Sequence, residues 1–94
     1  MPRIAIYRPD ENEGLPANST YIVQGAVRPN NATVTLSVHV MSGGPPPTFS
    51  LTTYTVTASG GLWQQSISIG AANTNYTFSA SAAGDMDVVL ARSV

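Results

Sequence analysis

The amino-acid sequence predicts an all-β protein, an antiparallel sandwich of two sheets with about seven strands. Apolar and polar residues alternate along several segments, which is the pattern of strands with one buried and one solvated face. Turn-forming residues separate these segments at intervals of about eight to twelve residues, as in known sandwiches. The composition agrees, because Val, Ile and Thr are frequent while Lys, a common helix residue, is absent.

The alternation places each strand in turn. It is clearest where Val34, Leu36 and Val38 fall on one face and Thr and Ser residues fall on the other. The predicted strands are Ile4–Tyr7, Thr20–Val27, Ala32–Val40, Phe49–Ala58, Leu62–Ile69, Asn75–Ala82 and Met86–Ser93.

Turn signals connect these strands. The segment 28–31, Arg-Pro-Asn-Asn, predicts a tight turn and therefore an antiparallel hairpin between the second and third strands. Ser59-Gly60-Gly61 predicts a second hairpin turn, and Ala83-Gly84-Asp85 leads into the last strand. The segment 41–47 predicts a loop, because its three prolines lack the N–H that a sheet requires.

A core between the two sheets follows from these faces. Trp63 is expected there because a domain of this size needs bulky side chains inside. The alternative is that Trp63 and other aromatic residues form a platform on which a sugar stacks. The residues predicted to face between the sheets are Val34, Leu36, Val38, Val56, Trp63, Ile67, Phe78 and Val88.

The order of these segments resembles a bacterial immunoglobulin-like domain. The resemblance covers residues 4–82 and rests on YIVQGAV at 21–27, PNNATVTL at 29–36, YTVTASGGLW at 54–63 and NYTFSA at 75–80. Such domains are strung along bacterial adhesins and are found on many phage virion proteins. The resemblance implies an immunoglobulin-like scaffold and carries little information on function, since a fold hosts many functions.

Composition excludes several classes of protein. The 94 residues are enough for one domain, 1–94, and a net charge of −1 gives no field that would attract nucleic acid. No apolar run is long enough for membrane insertion, and without cysteine there is no disulfide. The N-terminus lacks the apolar stretch of a secretory signal, so we expect synthesis in a host cytoplasm.

Catalysis is not expected, and neither is a cofactor. The single histidine, His39, lies on the polar face of a predicted strand, where a solvated side chain is the simplest interpretation. One histidine without cysteine does not assemble the ligand set of a zinc site.

Two groups of acidic residues are weak candidates for calcium. Calcium needs six or more oxygen ligands, and the two groups would have to meet at one end of the sandwich to supply them. The alternative is that they are solvated turn residues. The weak metal candidates are Asp10, Glu13, Asp85 and Asp87.

Charge is concentrated near the N-terminus, where five of the nine charged residues lie within the first thirteen. This predicts that residues 1–19, the first strand and loop, dock on a partner, since arginine pairs well with carboxylates. The alternative is a polar end that keeps the chain soluble. The candidate partner-binding residues are Arg3, Arg8, Asp10, Glu11 and Glu13.

The strands Ala32–Val40 and Asn75–Ala82 carry no charge and are interpreted as sheet edges that tolerate neighbours. The expected partners are therefore other protein subunits, including a second copy, with a glycan as the alternative. The sequence favours a non-catalytic structural module, a decoration or accessory protein on a phage virion surface. The alternative is a carbohydrate- or host-surface-binding module of an adhesin on a bacterial cell surface.

Overall fold

The computed structural model describes residues 4–8, 10, 12–42, 48–82 and 84–94. The predicted all-β class is confirmed, with two sheets and, in the described residues, eight strands. The strand beyond the expected seven is β2, a three-residue segment within the acidic loop. The strands are β1 (Ile4–Arg8), β2 (Glu13–Leu15), β3 (Ser19–Val27), β4 (Thr33–Ser42), β5 (Thr48–Thr57), β6 (Leu62–Ile69), β7 (Thr74–Ala82) and β8 (Asp85–Ser93).

The two sheets are unequal. A three-stranded sheet has the order β1-β3-β6, and a five-stranded sheet has the order β2-β8-β7-β4-β5. Every pair is antiparallel except β2 with β8, where Glu13 lies beside Ala91 and Leu15 beside Ser93 in a parallel ladder. This pair differs from the antiparallel expectation because a three-residue strand is too short to show alternation, and a parallel partner so distant in sequence leaves no hairpin signal.

The predicted hairpin between the second and third strands is wrong. β3 pairs with β1 and β6, whereas β4 pairs with β5 and β7 in the other sheet. The turn around Pro29 carries the chain across the sandwich, and the Gly61 N–H donates to the Asn30 carbonyl at 3.0 Å. A turn signal marks where a strand ends but contains no information on which sheet the next strand joins.

The turn at 59–62 is confirmed, but the hairpin predicted there is wrong, because β5 and β6 belong to different sheets and only Ser59 and Leu62 form a bridge. Ser59 and Leu62 exchange two backbone hydrogen bonds of 2.9 and 3.1 Å. Gly60 and Gly61 have φ of 62° and 83°, values that favour glycine. Beyond this bridge β5 and β6 diverge into different sheets. The last strand begins after the predicted turn, and β8 pairs antiparallel with β7 in a continuous register that runs from Ala82 opposite Asp85 to Asn75 opposite Arg92.

The core lies between the sheets and contains six of the eight predicted residues: Val34, Leu36, Val38, Trp63, Ile67 and Phe78. Val56 is half-buried against it. Val88 was predicted inside and is wrong, because it is 46% exposed on the opposite face of β8. The inward positions of β8 are Val89, beside Phe78, and Ala91, beside Tyr76.

The described residues contain no helix, and hence no helix that is long and apolar enough to cross a membrane.

Candidate interaction surface

The N-terminal charged segment is only partly described. Arg8 is an exposed residue of β1, where it pairs with Gln24, and Asp10 is exposed in the following loop. The Asp10 N–H donates to Glu13 Oε1 at 3.2 Å. Arg3 and Glu11 lie outside the described residues. The structure thus brings Asp10 and Glu13 together.

Glu13 connects the two sheets. The Tyr21 hydroxyl, on β3, donates to Glu13 Oε2, on β2, at 2.5 Å. Burial raises the pKa of Tyr21, and the hydrogen bond to Glu13 and its negative charge raise it further. Both Glu13 oxygens therefore accept hydrogen bonds within the chain.

The second acidic group lies elsewhere on β8. Asp87 Oδ2 accepts the Ile6 N–H at 2.8 Å, and Oδ1 accepts the Val88 N–H at 3.0 Å. Glu13 lies beside Ala91, so Asp85 and Asp87 are roughly 13 to 20 Å away along the strand, at about 3.3 Å per residue. The structure therefore does not bring the two acidic groups together. Among the described residues, no three His, Cys, Asp or Glu side chains are grouped to hold a metal ion.

The aromatic residues are divided between core and surface. Trp63 is buried as predicted, and its indole N–H donates to the Ala26 carbonyl at 3.3 Å. Tyr76 is buried too, with its hydroxyl accepting the Gly70 N–H at 3.0 Å. A sugar platform built on Trp63 is excluded by this burial. The exposed rings of Tyr7 and Phe49 belong to different sheets.

The uncharged strands β4 and β7 are interior strands, so their interpretation as sheet edges is wrong. Alternation cannot distinguish an interior strand from an edge when one face of the sheet is solvated. The edges of the five-stranded sheet are β2 and β5, and those of the three-stranded sheet are β1 and β6.

One surface has the chemistry of an interface, and we call it the outer face: the side of the five-stranded sheet that points away from the core. Strand register aligns its residues in rows across β5, β4, β7 and β8. Its residues are Phe49, Leu51, Thr53, Thr55, Thr35, Ser37, His39, Met41, Asn75, Thr77, Ser79, Ser81, Met86, Val88, Leu90 and Arg92.

Apolar side chains lie at two places on the outer face. Met86, Val88 and Leu90 form a row along β8, each about half exposed or more. We call this the β8 row. Phe49 and Leu51 of β5 are 74% and 58% exposed, and Met41 of β4 lies directly beside Phe49. These three residues are the hairpin tip. Ser and Thr side chains fill the space between the two groups.

The outer face carries little charge. It has no acidic residue, and its one arginine, Arg92, lies at a corner and donates to Asn73 Oδ1 at 3.3 Å. His39 is exposed there, as expected from its place on the polar face of the strand.

Sequence reasoning missed both apolar groups, although β5 contained a signal for one of them. In the second half of β5, Tyr54 and Val56 point toward the core, whereas in the first half Phe49 and Leu51 occupy the opposite face. The register with β4 runs through ten consecutive pairs without a bulge, so the backbone alternation of β5 is regular throughout. The apolar residues therefore occupy the outer face in the first half of the strand and the inner face in the second half.

No protein-family model, curated protein or solved structure matches this chain.

Proposed function

We propose that this chain is a non-catalytic interaction module with an immunoglobulin-like fold that decorates the surface of a phage virion. The strand order supports the immunoglobulin-like assignment. In that fold the first, second, fourth and fifth strands form one sheet, and the third, sixth and seventh form the other. β1-β3-β6 and β4-β7-β8 match the first, second and fifth strands and the third, sixth and seventh strands when β2 is counted as a continuation of the first. β5, in fourth place, pairs with β4 instead of joining the first sheet, as the added edge strand of variable-type domains does.

The observation that carries the proposal is the outer face. Exposed apolar patches of this kind mark interaction surfaces in soluble proteins. The β8 row provides three adjacent apolar side chains with no acidic residue on the same face. A protein surface of matching character, apolar and uncharged, is the partner that this chemistry fits, because charged residues are depleted at the centre of protein interfaces.

The outer face is a stronger candidate than the N-terminal charged segment. Glu13 already accepts hydrogen bonds from Tyr21 and Asp10, which leaves Arg8 and Asp10 as the exposed charges described there. Exposed charge pairs contribute little binding free energy, typically below about 1 kcal/mol. The β8 row removes apolar surface from water on docking, which contributes more.

The test uses virions assembled from a phage genome that lacks the gene for this chain. Pure protein is added back, and the number of copies that sediment with the particles is measured. We expect the wild-type chain to bind and the double variant Val88→Asp, Leu90→Asp to lose at least tenfold in affinity, because each introduced carboxylate would be buried without a partner.

Ile22→Asp is the matched control. The exposed fraction of Ile22, 44%, is similar to the 46% of Val88, but Ile22 lies on the outward side of the three-stranded sheet. This variant should bind like the wild type, and so should Arg8→Ala with Asp10→Ala. A folded wild-type chain that does not sediment with virions contradicts the proposal.

A second function, glycan or host-surface binding by an adhesin module, is favoured by one observation. Near the hairpin tip the outer face has a shallow depression lined by Phe49, Met41, His39, Asn75 and Thr77. An exposed aromatic ring beside hydroxyl and amide groups suits a sugar ring. Binding on a glycan array that Phe49→Ala abolishes, in a chain that leaves virions undecorated, would support this alternative.

A further inference from the structure

The edge strand β5 differs from the strands that natural proteins leave at sheet edges. Such edges are usually short, charged, interrupted by proline or bulged, since an unpaired ladder otherwise recruits another strand. β5 has ten residues, Thr48–Thr57, with no charged residue and no proline. Its ladder with β4 has no bulge.

Two other edges in the same molecule show the usual protection. β2 has three residues, one of which is Glu13. β1 has five residues, ends in the charged Arg8, and has a register shift between Ile6 and Arg8. The fourth edge, β6, also lacks charge, proline and a register shift, but it has eight residues where β5 has ten. β5 is therefore the longest unprotected edge among the described strands.

The two faces of β5 favour a partner strand of the same kind. In an antiparallel pair, side chains directly opposite one another lie on the same face. In the first half of β5 the outer face presents Phe49 and Leu51, whereas the inner face presents Ser50 and Thr52. All four are exposed, so neither face of β5 is packed at this end of the ladder.

We propose that β5 pairs antiparallel with β5 of a second copy of this chain, so that the two five-stranded sheets become one sheet of two copies. The two copies are related by a two-fold axis perpendicular to the sheet. If the axis passes near Ser50, Phe49 of each copy lies opposite Leu51 of the other, and the two Ser50 side chains face each other. Aromatic–aliphatic and hydroxyl pairs of this type stabilise antiparallel ladders.

The absence of charge makes β5 compatible with a second copy of itself. A two-fold axis brings each residue close to its own counterpart, so any charged strand would meet its like charge. β5 is neutral along its whole length, and its neighbour β4 carries only His39 as a titratable residue. The contact uses the free edge of both copies, so it closes as a dimer and does not propagate into a fibre.

This inference is independent of the virion proposal, because it concerns the β5 edge rather than the β8 row. A dimer joined at β5 leaves both β8 rows on one continuous outer face, free to dock. The Val88 and Leu90 variants should therefore remain dimeric.

The test measures molar mass by light scattering after size exclusion, with the full chain loaded over a range of concentrations. The wild type should approach twice the 9.8 kDa chain mass. Leu51→Lys should be monomeric over the same range, with its dissociation constant raised at least a hundredfold, because each lysine would lie opposite Phe49 of the other copy and diagonally across the axis from the second lysine.

Leu62→Lys is the matched control, since Leu62 is 62% exposed and Leu51 is 58% exposed, and Leu62 lies on the edge strand β6 of the other sheet. This variant should dimerise like the wild type. Thermal melts of dilute protein should show that both variants are folded, because both side chains project into solvent.

Amide hydrogen exchange identifies the edge directly. We expect amides of β5 to exchange more slowly in the concentrated wild type than in Leu51→Lys, while amides of β6 show no difference. A monomeric wild type, a dimer that Leu62→Lys breaks and Leu51→Lys does not, or β5 amides that exchange equally in dimer and monomer would each overturn the proposal.

Discussion

The five-stranded sheet has two regions that use apolar residues in opposite ways. Phe78, on β7, lies in the region that covers the three-stranded sheet, and it is fully buried. Phe49, on β5 in the same sheet, lies at the hairpin tip, and 74% of its surface is exposed on the outer face. The same residue type contributes to folding in the first region and leaves its apolar surface available to a partner in the second.

The difference between these regions shows that the neighbours of a face decide its role. Tyr54 and Val56 point toward the core because the opposing sheet covers that end of β5. At the other end the inner positions of β5 are Ser50 and Thr52, and both are exposed. Alternation within a strand therefore divides residues into two sets, and the tertiary structure determines which set is buried.

The largest expected effect compares the two phenylalanines directly. Phe78→Ala should lower the free energy of unfolding by about 3–5 kcal/mol, because it removes a fully buried ring and leaves a cavity. Phe49→Ala should change it by less than about 0.5 kcal/mol in dilute protein, as surface substitutions usually do. Urea unfolding of the two variants checks both values. A loss above about 1 kcal/mol for Phe49→Ala would show that the hairpin tip is packed within the monomer.

A smaller effect probes how tightly the packed region is filled. A Cβ on Gly25 would overlap the Ala5 carbonyl oxygen and lie 2.5 Å from Cζ2 of Trp63. Gly25→Ala should therefore destabilise the protein by about 1–3 kcal/mol, the range for overpacking. Gly70→Ala is the control, because its Cβ would lie 3.8 Å from the Tyr76 hydroxyl, an ordinary contact. Equal melting temperatures for the two variants would contradict this account.

The smallest effect concerns the border of the packed region, where Tyr21 and Glu13 link the sheets. Tyr21→Phe should cost about 1 kcal/mol or less at pH 7, because the hydrogen bond is partly screened by solvent. The raised pKa of Tyr21 makes wild-type stability fall above about pH 10, where the unfolded chain loses a proton that the folded chain keeps. The variant lacks this slope, so the two stabilities should converge at alkaline pH. Unfolding curves of both proteins from pH 7 to pH 11 measure the two free energies of unfolding. A difference between wild type and Tyr21→Phe that grows with pH would contradict the hydrogen bond from Tyr21 to Glu13.

Individual strands were predictable from the sequence, because alternation is a local property. The faces of β4, β6 and β7 were predicted correctly for this reason, including the burial of Trp63 and Phe78. The pairing of strands within the sheets was less predictable. β3 and β4, like β5 and β6, are neighbours in sequence that belong to different sheets, and nothing in their turns distinguishes a crossing from a hairpin.

The candidate interaction surface was harder to predict than the fold. In β8 both faces contain apolar residues, and choosing the larger ones as the core placed Val88 inside. The core beside β8 is already filled by Phe78 and Tyr76, so Val89 and Ala91 fit there, whereas the larger Met86 and Leu90 lie on the opposite face with Val88. That competition for volume involves residues from different strands, and local sequence patterns do not contain it.

The pairing of β2 with β8 has a consequence for the order of events during protein synthesis. Glu13 finds its ladder partner at Ala91, and the Ile6 amide finds its acceptor at Asp87, 81 residues later. A growing chain on the ribosome therefore holds its first strands unpaired on one side until the last strand has emerged. Folds dominated by such distant contacts form in milliseconds to seconds, about the time a ribosome needs to add a few residues. We therefore expect the sandwich to close only after β8 has been translated, because until then the side of β7 that pairs with β8 has no partner strand.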